Sequence, residues 1–137
     1  MTYQKELLVN YRQFHNPQRV GLGDGRSVEA LGVGNVNLEM IFKVSESKHM
    51  TMFNVLYVPN LAANLFSVGA AAEKEKILQF GHSRCWIRDK SRKLCGAGTR
   101  SEDGLYHLDC KPVTVETAAL ATNQNRTLIC GIRDLDI

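Results

Sequence analysis

The sequence predicts an all-β, mainly antiparallel domain with one short helix, a small β-barrel or sandwich. Three observations carry this. Runs of apolar–polar alternation recur along the chain. Turns rich in glycine, serine or charge separate them at short spacing. Only one stretch, rich in alanine, has helical character. With 137 residues the chain can bury one core, and with 44% hydrophobic and 23% charged residues it has the composition of a globular protein, not a disordered one.

In chain order, Leu7, Leu8, Tyr11 and Phe14 recur at helical spacing, so residues 2–14 read as a short amphipathic helix, although the aromatic residues suit an extended segment too. Pro17 ends that element. From Arg19 the pattern is that of strands. RVGL and RSVEALG flank Gly23-Asp24-Gly25, whose glycines supply the positive backbone angles of a tight hairpin. Residues 35–44 place Val36, Leu38, Met40 and Phe42 on one face and Asn37, Glu39, Ile41 and Lys43 on the other, a half-buried antiparallel strand. Residues 49–58 alternate Met50, Met52, Asn54, Leu56 and Val58 against Thr51, Phe53, Val55 and Tyr57, and their apolar end predicts a central strand.

Pro59 stops that strand, and a helix over 65–75 follows, with Asn64 suited to cap it. Short strands are expected over 77–80, 84–89, 93–100 and 105–110, separated by Gly81-His82-Ser83, by Lys90-Ser91-Arg92 and by a turn containing Asp103-Gly104. Residues 1–110 are thus expected to form the domain. Residues 111–137, rich in Thr, Ala and Asn and weakly periodic, read as a linker or flexible tail.

Charge and cysteine usage exclude several classes of function. The net charge of +3 is small and dispersed, so no direct nucleic-acid binding is expected. No apolar run approaches the roughly 18 to 20 residues of a membrane helix, and the first residues lack a signal-peptide core, so the expected location is cytoplasmic and no membrane partner is expected. Cys85, Cys95, Cys110 and Cys130 are spaced neither as a zinc site nor as a disulfide framework, and read as reduced thiols.

Three blocks, LGDGRSVEALGVGNVNLEM, NVLYVPNLAANLFSVG and GAGTRSEDGLYHLDC, together resemble the retropepsin-like protease region of copia-type retrotransposon Pol polyproteins. The resemblance spans residues 1–110, and residues 54–69 are its specific part. It implies a small retropepsin-like β-barrel, a dimeric aspartic endopeptidase in the intact family member, and processing of its own polyprotein as substrate. It also implies a homodimer through sheet edges, and a hairpin turn at residues 23–25 in the position of a flap.

An aspartic protease needs two adjacent carboxylates sharing one proton. The family carries its Asp-Ser-Gly a few residues before a His-Met-Thr, and the chain opens at Met1-Thr2, so the expectation is a scaffold lacking that motif and inactive by itself. Asp24 and Asp103 precede glycines but read as turn residues, and Asp89, Asp109, Asp134 and Asp136 carry no motif. His15, His49, His82 and His107 lie near no serine or cysteine in a nucleophile context. GLGDG and GVGN do not lead into a helix, which removes a phosphate-binding reading. The family's downstream zinc-binding segment has no histidines over residues 128–135, and Cys130 reads as a free thiol in a tail. No residue is therefore assigned as catalytic, cofactor-binding or metal-binding, and no cofactor is expected. The alternative function is a non-catalytic, domesticated β-domain acting as a protein-binding or assembly module.

Overall fold

The computed structural model describes residues 1–43 and 45–113 and the backbone of 128–130. A 3-10 turn, Lys5–Leu7, leads into β1 (Leu8–Gly21), β2 (Ser27–Lys43) and β3 (Glu46–Tyr57). A short helix, α1 (Val68–Glu73), precedes β4 (Ile77–Phe80), β5 (Arg84–Arg88), β6 (Leu94–Arg100), β7 (Tyr106–Leu108), β8 (Cys110–Pro112) and β9 (Leu128–Cys130). The all-β, antiparallel expectation with one short helix holds. The pairings make two sheets, β1-β2-β3 with β8 beside β2, and β4-β5-β6-β7-β9, and among the described residues they do not close into a single ring.

Alternation in β2 does what its sequence predicts. Ala30, Val36, Leu38 and Met40 are buried in one continuous stripe, and the last three pack in one cluster with Cys85, Ile87, Cys95 and Leu108 of the second sheet. Burying such side chains contributes roughly 1.5–3 kcal/mol each. The sheets join at Asp109. Its N–H donates to the Ala97 carbonyl at 2.9 Å, and its own carbonyl accepts from the Ile41 N–H at 2.8 Å. One residue thus ends β7 in one sheet and starts β8 in the other, a strand that changes sheets at a corner. Arg84 at 3.3 Å and the Thr99 hydroxyl at 3.2 Å hold the Asp109 carboxylate there.

Several expectations are corrected. Residues 8–14 are strand, not helix, and β1 runs through Pro17 to Gly21. Pairing with β2 lapses between Gln13 and Gln18, where the proline has no N–H to offer, and β1 is an edge strand that tolerates it. A second irregularity, at Asn10 with φ of 54°, re-aims the strand after Val9. β3, which reads as a central strand in the sequence, lies at the edge of its sheet, beside β2. The cause is a bulge. Between Met52 and Val55 two β3 residues oppose Asn35, and Asn54 takes φ of 58°. Period two is broken there, so Met50, Met52 and Val55 all reach the core while Phe53 is 58% exposed. The helix is shorter than expected, and its cap is Ser67, whose hydroxyl accepts from the Ala70 N–H at 3.1 Å.

The hairpin turn forms as expected. Gly25 N–H donates to the Leu22 carbonyl at 3.1 Å, and Gly25 has φ of 84°, a conformation that favours glycine. Most of the expected linker lies outside the described residues. Within it, β8 pairs with β2 and β9 with β7.

Gly98 marks the tightest approach inside the second sheet. A Cβ there would stand 2.6 Å from the His107 carbonyl oxygen and 2.7 Å from Cys85 Sγ, whereas one at Gly21 meets nothing within 4 Å. Gly98→Ala is expected to destabilise the protein by about 1–3 kcal/mol, and Gly21→Ala to be neutral or stabilising by up to about 1 kcal/mol. Urea denaturation of the two variants beside the parent checks both.

Candidate functional site

The most elaborate polar arrangement lies where the first residues meet the loop after β3. Thr2 pairs in parallel with Tyr57. Its N–H donates to the Leu56 carbonyl at 2.9 Å, and its carbonyl accepts from the Val58 N–H at 2.8 Å. The Leu65 N–H then donates to the Met1 carbonyl at 2.9 Å, and the Met1 amine to the Leu65 carbonyl at 2.8 Å. Burial draws the pKa of that amine down from 8.0 to about 6, because charge is penalised out of water. Residues 1–2 are thus a short strand laid against the loop.

Side chains lock it. Thr2, Gln4 and Asn64 are polar yet only 1%, 4% and 5% exposed. Asn64 Oδ1 accepts from the Thr2 hydroxyl at 2.6 Å and from the Tyr3 N–H at 3.3 Å, while its Nδ2 donates to Gln4 Oε1 at 2.8 Å. The Gln4 N–H donates to Thr2 Oγ1 at 3.1 Å. No buried side-chain nitrogen or oxygen among the described residues is left without a partner, which is the condition under which buried polar groups are tolerated. Asn64 does not cap α1, as the sequence reading expects. Instead it ties two segments about sixty residues apart.

Next to this network, between β3 and α1, opens a groove of about 430 Å³. Met50, Met52 and Val55 form one wall, Ala70 and Ala71 the other, and Val36 and Ile87 the floor. Among the described residues no carboxylate lines it, and its charged side chains are Lys74 and Lys76.

Residues 1–76 match the model of a family described as the Pol polyprotein, beta-barrel domain. That span is more than half of the chain. The chain belongs to this Pol polyprotein β-barrel family. No curated protein and no solved structure matches it. The family match covers β1 to β3, the Thr2–Asn64 network and α1, and it ends one residue before β4 begins. The network and most of the groove are therefore features of the family region.

Elsewhere the Pol domain's titratable residues hold turns and the corner. Asp24 Oδ1 accepts from the Arg26 N–H at 3.0 Å and its Oδ2 pairs with the Arg26 guanidinium at 2.6 Å, at the hairpin tip. Asp89 accepts from the Ser91 and Lys93 N–H groups, both at 2.9 Å. Asp109 is the sheet corner, and Asp134 and Asp136 lie outside the described residues. His15, His49 and His82 are exposed on strands or turns. The hairpin at residues 23–25 contributes nothing to the groove. Cys85, Cys95 and Cys110 are buried, and burial pushes the thiols of Cys85 and Cys95 up, away from the reactive thiolate.

One cluster was not foreseen. Ser101 donates to Asp103 Oδ1, and its Oγ lies 3.1 Å from His107 Nε2. The hydroxyl stands between acid and imidazole, whereas a nucleophilic relay needs the acid behind the imidazole. The Ser101 hydroxyl also reaches the Leu105 carbonyl at 3.0 Å, and the bonds from the Ser101 hydroxyl and the Leu105 N–H hold the Asp103 carboxyl below its ordinary pKa. The cluster closes the turn before β7.

The signal that could have exposed the network is Asn64 itself, a lone amide amid Leu61, Leu65 and Phe66. Its partners, Thr2 and Gln4, carry no pattern. Asn64→Ala leaves the Thr2 hydroxyl, the Tyr3 N–H and the Gln4 carbonyl without their buried partner, and is expected to cost about 2–4 kcal/mol. Ser47→Ala, which removes an exposed bond to Glu39, should stay within about 0.5 kcal/mol. Thermal unfolding of both variants checks the contrast.

Proposed function

We propose that the chain is the structural body of the protease region of a copia-type, retropepsin-like Pol polyprotein, and that it does not cleave peptide bonds by itself. The observation that carries this reading is how residues 54–69, the block that most resembles that protease region, are used. Asn64, Leu56, Val58 and Leu65 spend their polar groups on holding residues 1–4, which is scaffold work. The described aspartates serve a hairpin tip, two turns and a sheet corner. None lines the groove. A dimeric aspartic protease draws its activity from a shared-proton carboxylate pair, and in this reading that pair belongs to the intact polyprotein, which acts on itself as a homodimer in the cytosol.

A second reading is favoured by the edge position of β3: a non-catalytic β-domain that binds or assembles proteins through that edge. Both readings predict the same result in one assay. The purified chain, incubated with a peptide from a Pol polyprotein cleavage junction at mildly acidic pH, should give no cleavage that pepstatin suppresses. Pepstatin-sensitive turnover contradicts them.

A further inference from the structure

We infer that the outer edge of β3 and the groove beside α1 take up an extended peptide strand, apolar at alternate positions and bearing carboxylates, which pairs with β3 in line with Met1–Thr2. The inference stands on the geometry of β3 and is independent of the protease-region reading.

The backbone supplies the first part. Asn37 and Ile41 of β2 turn their main-chain groups toward the β8 side, where Asn37 accepts from the Val113 N–H and Ile41 donates to the Asp109 carbonyl. Their antiparallel partners on β3, Thr51 and Ser47, are therefore in non-hydrogen-bonded pairs. The N–H and C=O of Thr51 consequently point away from β2, along the open edge. Farther along the same edge, Leu56 and Val58 already bond to Thr2. Among the described residues, the strand position beside β3 is thus filled at one end and open at the other, and an incoming strand continues a pairing that the fold has begun.

Side chains supply the second part. Along the open stretch the groove presents Met50, Met52, Val55 and Phe66, adaptable apolar walls for every second side chain of a strand. Phe53, at the rim, is 58% exposed. The charged side chains at the groove, among the described residues, are the two cations Lys74 and Lys76, which attract carboxylates on the incoming strand. They also disfavour a second copy of this chain, because edge-to-edge pairing of two β3 strands brings the same lysines together in a protein already at +3.

The test uses the full chain and a fluorescein-labelled octapeptide alternating valine and threonine with glutamate at both ends, followed by fluorescence anisotropy. Saturable binding is expected, at least tenfold weaker for the same peptide ending in lysines. Thr51→Pro removes the outward N–H and the side-chain bond to Asn37 but no backbone bond to β2, and should bind at least tenfold more weakly than Thr51→Val, which loses the same side-chain bond and keeps the N–H. A Lys74→Glu, Lys76→Glu double variant, which leaves the backbone intact, should reverse the peptide preference. No binding, equal binding of both peptides, or binding indifferent to these substitutions overturns the inference. A concentration-dependent dimer that competes with the peptide also overturns it and assigns the edge to a second copy.

Discussion

The fold depends on a buried amide. Asn64 sits in a loop of apolar residues and is nearly inaccessible, so each polar atom it carries must find a partner or cost about 1–3 kcal/mol. It finds them in Thr2, Tyr3 and Gln4. That requirement fixes the course of the first residues, which then complete the backbone bonding of Leu56, Val58 and Leu65. The same backbone bonds, with Phe66 and Val68 packed against the core, place the loop after Pro59 and the start of α1. The bonds share their partners, so that losing one weakens the others.

The groove follows from this arrangement and from the corner at Asp109. The corner sets the second sheet across the first, with Ile87 under β2. The network sets α1 opposite β3. Between them lies apolar space beside a strand whose outer edge, among the described residues, is occupied at Leu56 and Val58 and open earlier. A bulge at Phe53 and Asn54 bends β3 at that point, a device that also limits how far an edge can pair indiscriminately. Among the described residues, the aspartates and the Ser101–His107 pair hold turns and the sheet corner.

Much of this was legible in the residues, and the boundary of legibility has physical causes. β2 could be read because one face is buried along almost its whole length and alternation survives intact. β4 to β7 could be read because glycine and charged turns separate them. β1 was misread because its mostly exposed residues carry no period-two signal and its few apolar residues fall by chance at helical spacing. β3 was placed centrally because its bulge brings apolar residues of both parities to the core, which in sequence looks like burial on two faces. The role of Asn64 was missed because capping is decided by neighbours within four residues, whereas its true partners lie some sixty residues away and Thr2 and Gln4 are unremarkable in sequence. Nor could the order of Ser101, Asp103 and His107 in space be read from their spacing.

Native-state hydrogen exchange at three amides tests the central role of the network most directly. The N–H groups of Thr2, Val58 and Leu65 each bridge the first residues and the loop. If the buried amide ties these segments into the cooperative core, all three exchange only through global unfolding, with the same free energy as β2 and the same dependence on denaturant. Exchange of these three amides at low free energy and without denaturant dependence, in the manner of a fraying terminus, contradicts the account.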